Sequence, residues 1–149
     1  MRQELDRRKC TIPQAWVNKK SHNVVKGEFI RAGQMNWAVL CSVRRVSSIL
    51  VFGDSSASNP TELAREADIH KLQDVGKGEL GYSREIAPAG RAFVLSHNRK
   101  GAGAIDHDGI NDAFVEKASV VLLPVREVDT TDASGLIGQC YMGRTSLWH

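Results

Sequence analysis

Residues 36–52, NWAVLCSVRRVSSILVF, place two apolar runs on either side of a basic dipeptide. In the first, Trp37, Val39, Cys41 and Val43 recur at period two, the spacing of a strand with one buried face. In the second, Ile49, Leu50, Val51 and Phe52 follow one another without a polar break. That continuity predicts a strand covered on both faces and therefore central in its sheet. Arg44 and Arg45 leave room only for a tight polar connection between the two. Whatever else the chain forms must supply the cover for this ribbon.

Upstream, NVVKGEFI (residues 23–30) sets Val25 and Phe29 on one side, with Gly33 turning the chain into the next run, so a hairpin is predicted. Downstream, Asn59 can cap a helix, Pro60 suits its first position, and Glu62 stands three residues after Asn59 as in a capping box. Leu63, Ala67 and His70 would then share a face. A short strand is expected from Gly81 to Ile86, ended by Pro88, and a short helix over residues 90–97, where Phe93 and His97 are four apart. Residues 106–116, DHDGINDAFVE, read as another capped helix with Ile110 and Phe114 inward, and Lys117 to Leu123 as a strand stopped by Pro124. No repeat is visible. The expected fold is α+β: an antiparallel sheet, a β-meander, with short helices packed on it. Its parts are a polar, basic arm (residues 1–22), one globular domain (23–123) and a C-terminal segment of unassigned structure (124–149).

A chain of 149 residues suits a single core, and 42% hydrophobic with 25% charged residues is ordinary globular composition. No run approaches the roughly eighteen apolar residues of a membrane helix. The start, MRQELDRRKC, is charged where an export signal would be apolar, so a cytoplasmic protein is expected as the sequence stands, and a secreted or periplasmic one if the start is truncated. The net charge of +3 is uneven: Arg7, Arg8, Lys9, Lys19, Lys20, Lys26 and Arg31 crowd the start. Without interleaved aromatic groups to stack on bases, this reads as a solvated arm and argues against nucleic acid as partner. A protein or a small molecule is left as partner, with no cofactor and no membrane. Cys10, Cys41 and Cys140 contain no CxxC pair. In an exported protein Cys10 and Cys41 could pair, and closing that loop is worth on the order of 3 kcal/mol in the chain-entropy model.

The run ILVFGDSSAS (residues 49–58) resembles the first block of the GDS(L), or SGNH, hydrolases, in which a strand delivers a Gly-Asp-Ser nucleophile to the surface. The resemblance implies Ser55 as nucleophile, with His107 or His97 as base. That family carries a late Asp-x-x-His, which this chain lacks; Asp106 and His107 are adjacent instead. Asp54 and Ser55 equally suit a turn that bonds its own backbone. GKGELG (residues 76–81) spells GxGxxG, yet the alternation that follows is that of a strand and not of a phosphate-cradling helix, so a turn is expected. Asp106, His107, Asp108 and Asp112 offer ligands for a divalent cation without the spacing of a calcium loop; the same carboxylates also suit a helix start.

Gly27 to Leu40, GEFIRAGQMNWAVL, is similar to the FG-GAP segment of integrin-like propellers at Gly27, Phe29, Gly33, Ala38 and Val39, while Ile30, Ala32, Gln34 and Asn36 stand where that family has its calcium-binding acids. CTIPQ (residues 10–14), WAVLCS, the run Ser47 to Phe52 and DHDGINDAFVEKASVV resemble an uncharacterised group of bacterial proteins, which implies frequent export and no assigned activity. The leading expectation is a noncatalytic binding or interaction domain whose contact surface includes Asp54, Ser55, Ser56 and Asn59. The alternatives are a small serine ester hydrolase using Ser55, and a cation-binding domain using Asp106, Asp108 and Asp112.

Overall fold

Strand pairing spreads outward from the apolar ribbon. Strands β1 (Val24–Gly27), β2 (Asn36–Val43), β3 (Val46–Phe52) and β4 (Thr61–Ala67) form one antiparallel sheet in that order, which makes β3 an inner strand. The computed structural model describes residues 1–53, 58–97, 105–114 and 117–121. Val39 lies opposite Leu50, and Leu40 opposite Ile49. Alternation then sends successive side chains to opposite faces. Ala38, Leu40, Ile49 and Val51 meet Phe29, Leu63, Ile86 and Ile110 on one side. On the other, Val39, Cys41, Leu50 and Phe52 meet Met1, Leu5, Cys10 and Ile12. The unbroken apolar run of β3 is therefore used on both faces.

Cover for the first face comes from a three-stranded antiparallel sheet, β7 (Arg84–Ala89), β8 (Gly109–Phe114) and β9 (Lys117–Val121), which follows a two-stranded ribbon of β5 (Leu72–Gly76) and β6 (Glu79–Tyr82). The GKGELG run makes the turn of that ribbon, with Gly76, Lys77 and Gly78 all at positive φ. Cover for the second face comes from helix α1 (Arg2–Arg7) and the segment after it. Thr11 bridges to Ser42, and a disulfide joins Cys10 to Cys41. Gln14 and His22 then close a loop: the Gln14 amide donates to the His22 carbonyl, the His22 amide donates to Gln14 Oε1, and His22 Nε2 accepts from the Ala15 amide. Asn23, fully buried at φ 69°, splices the elements together. Its Oδ1 accepts from the Ile86 amide at 2.9 Å and its Nδ2 donates to the Pro13 carbonyl at 2.6 Å.

The expected antiparallel sheet is present and dominates. Helix is confined, among the described residues, to α1, α2 (Arg91–His97) and the 3₁₀ turn Asp68–Lys71. Two expected helices are strands. Over residues 60–70 the capping residues are in place, yet β4 pairs with β3, because Leu63 opposite Ile49 completes the core that a free helix would leave open. Pro60 fits this outcome equally well, since the first position of a strand also needs no N–H. A bulge on β4 opposite Ser48 puts Ala64 at φ 49° and turns its carbonyl inward. Over residues 106–116 the local cap signals again lose: β8 pairs with both β7 and β9, and Ile110 is buried by that pairing. Asp108 does cap a helix, but a different one. Its Oδ1 accepts from the amide of Arg91, the first residue of α2, at 3.0 Å, and its Oδ2 from the Glu28 amide at 3.2 Å. The expected strand at 81–86 is divided at Ser83 between β6 and β7, and Pro88 lies inside β7. That position is tolerated because β7 is an outer strand. The helix expected over 90–97 and a strand from Lys117 are where the sequence pattern puts them.

Candidate functional site

Helix α1 is short, and its own side chains hold it. Glu4 accepts two hydrogen bonds from Arg7, at 2.7 and 2.6 Å, and one from Arg8 at 2.7 Å, the i,i+3 and i,i+4 pairs of a helix surface. The two Arg7 bonds, then the one from Arg8, draw the Glu4 carboxyl from 4.5 down to about 2. A depressed carboxyl stabilises the fold fully above its unfolded value and loses that contribution as pH falls between 4.5 and about 2. Glu4→Gln is therefore expected to be less stable than the native protein at neutral pH and equal to it near pH 2, in urea unfolding followed across that range. A stability gap that does not change with pH would show that the ion pairs are inert.

After Arg8 the chain reverses through Lys9, at φ 55°, and Cys10 is joined to Cys41 on the sheet. The last turn of α1 therefore stands beside the far end of β2 and β3, where Val43 pairs with Val46 across the Arg44–Arg45 turn. Both turn residues are left-handed, at φ 52° and 64°, a conformation that two-residue hairpins normally give to Asn-Gly. On the third side, β4 contributes Glu62 and Arg65.

Between these elements lies a groove of about 620 Å³. Its floor is Cys41, Val43, Val46, Ser48 and Leu50; its rim is Arg7, Arg8, Lys9, Arg44 and Arg65, with Glu62 the single acid. Glu62 accepts from Arg65 at 3.0 Å and lies 3.7 Å from Arg8, and Glu4 holds Arg7 and Arg8. Five cations against these two carboxylates leave three positive charges in excess. Among the described residues, Lys9 and Arg44 have no carboxylate partner. Such a site attracts anions, and its apolar floor lowers the local dielectric and strengthens that attraction.

Of the described residues singled out by sequence pattern, Cys41 lines the groove and the candidate catalytic and metal-binding ones do not. Asp54, Ser55 and Ser56 are outside the described residues; Asn59 is exposed just before β4. His97 ends α2, and its side chain is outside the described part. His107 is buried, with Nδ1 2.8 Å from the Asp108 carbonyl oxygen, so Nδ1 carries the proton. Asp106 is exposed, Asp108 is held by the two amides described above, and Asp112 forms a bidentate pair with Arg84 at 2.7 Å. The three carboxylates thus have separate surroundings. Among the described residues no cluster of three or more His, Cys, Asp or Glu is placed to hold a metal.

No local pattern marks the groove: along the sequence Arg7, Arg8 and Lys9 read as a solvated arm and Arg44–Arg45 as a plain connection. The available signal was Cys10, directly after the basic triplet, with Cys41 just ahead of the basic turn. No helix among the described residues is long and apolar enough to cross a membrane. Compared with known proteins, the chain matches no family model, no curated protein and no solved structure.

Proposed function

We propose that this chain is a noncatalytic binding domain that takes a negatively charged ligand in the groove between α1, the β2–β3 turn and β4. The observation that carries this reading is the Arg44–Arg45 pair. Left-handed backbone costs an ordinary side chain roughly 1–2 kcal/mol, and turns that need it usually use Asn and Gly. Two arginines accept that strain here, and Arg44 places positive charge at the rim of a groove already in cationic excess. Strain held at a surface turn points to use of the side chains.

The double variant Arg44→Asn/Arg45→Gly tests this directly. Stability is expected to rise by about 1–2 kcal/mol, because the new residues relieve the backbone. Anion binding is expected to fall. With pyrophosphate as probe, amide shifts should saturate at Lys9, Arg44 and Arg65 in the native protein, weaken as salt is raised, and shrink in the variant. Shifts scattered over the whole surface, or none, would remove the reading.

A further inference from the structure

The groove's lining is divided by position. The cations come from the end of α1, the β2–β3 turn and β4, and so ring it; the residues from β2 and β3 beneath them are apolar apart from Ser48. Val43 and Val46 are each only partly buried, although they continue the face that α1 covers over Val39 and Cys41. The helix therefore stops short of the end of the sheet and leaves an apolar strip bordered by positive charge.

A compact hydrophilic anion would satisfy the rim and leave that strip wet. A neutral apolar molecule would cover the strip while stripping water from arginines it could not pair. We infer that the ligand is an amphipathic anion, an alkyl or aryl body carrying a phosphate or carboxylate head, with the head against Lys9, Arg44 and Arg65 and the body along Val43 and Val46. This inference rests on the anion-binding reading above. Guanidinium groups suit it because their planar forks match phosphate and carboxylate oxygens in pairs. A free metabolite and a lipid headgroup present the same chemistry to the groove.

The test is calorimetry on the native protein with methyl, butyl and hexyl phosphate below their micellar concentrations. Affinity is expected to rise about three- to fourfold for each methylene that reaches the floor. Hexanol and hexyltrimethylammonium, which lack the negative head, should not bind. Val43→Ser/Val46→Ser is expected to flatten the chain-length dependence. Vesicles containing phosphatidic acid separate the two sources: binding to hexyl phosphate alone assigns a free amphiphile, and binding to both assigns a lipid headgroup. A series with no dependence on chain length overturns this inference and leaves the anion site standing. No binding of any phosphate overturns both, and binding to vesicles without binding of hexyl phosphate overturns the amphiphile groove.

Discussion

Arg84→Ala is expected to destabilise the protein by about 3–5 kcal/mol, the usual cost of removing one member of a buried ion pair. The Arg84 side chain is 1% exposed and that of Asp112 12%. Burial works against the charge of Arg84, and the hydrogen bonds and charge of Asp112 restore it. The guanidinium also donates to Ser47 Oγ at 3.0 Å and to the inward-turned Ala64 carbonyl at 2.8 Å. One side chain thus ties β7 to β8 within its own sheet and to β3 and β4 in the other. Alanine there takes two charge-assisted hydrogen bonds from the Asp112 carboxylate and the guanidinium donor from the Ala64 carbonyl at once, each an added cost. In thermal unfolding the same change should lower the midpoint by about 10 °C or more. Replacing both partners, Arg84→Met/Asp112→Leu, is expected to recover much of the loss, since apolar groups of similar volume leave no charge uncompensated. A single variant within 1 kcal/mol of native would show that the two sheets are held by packing alone.

Reducing the Cys10–Cys41 disulfide is the second large effect. The bond closes a loop with a sequence separation of 31, for which the chain-entropy model gives about 3.7 kcal/mol. Urea unfolding with and without a phosphine reductant measures it. Beyond that global loss, reduction acts on the groove, because Cys41 lines the floor and Cys10 directly follows the rim residues Arg7, Arg8 and Lys9. Contacts of Met1 and Leu5 with the sheet remain, as do the Arg8–Glu62 pair and the Thr11–Ser42 bridge. Amide exchange is therefore expected to accelerate first in residues 1–12 and only later in β2 and β3. Unchanged exchange in α1 after reduction would show that the tether is redundant for the groove's wall.

The stretch that local pattern described best is the ribbon itself. The continuous apolar run of β3 translates into burial on both faces because a strand's side-chain direction depends only on position along it. In β2 the period-two spacing picks out buried Val39 and Cys41 but misses Ala38 and Leu40, buried on the opposite face, and Trp37 is exposed. The β1–β2 pairing and the existence of α2 were legible too, although α2 buries Val94 and leaves Phe93 exposed. The signals failed at β4 and β8, where Asn59, Pro60 and Glu62, or Asp106 and Asp108, satisfy the local rules for a helix start. Those rules concern a few neighbouring amides, worth about 1 kcal/mol each. Pairing with β3, or with β7 and β9, satisfies a whole row of backbone groups and buries Leu63 and Ile110, so the larger nonlocal gain decided.

The groove belongs wholly to the nonlocal side of that division. Arg7, Arg8 and Lys9 sit on the arm, Arg44 on a turn and Arg65 on an outer strand, far apart along the chain and without a shared motif. Order along the polypeptide established that a two-faced β-ribbon would form and demand cover, because burial of apolar side chains follows directly from their spacing. Which segments provide that cover, and hence which charges meet at its open end, is settled only when sheet register, the Cys10–Cys41 link and the bulge at Ala64 bring distant residues to one place. Electrostatic sites depend on distances in space, and composition along a line does not contain them.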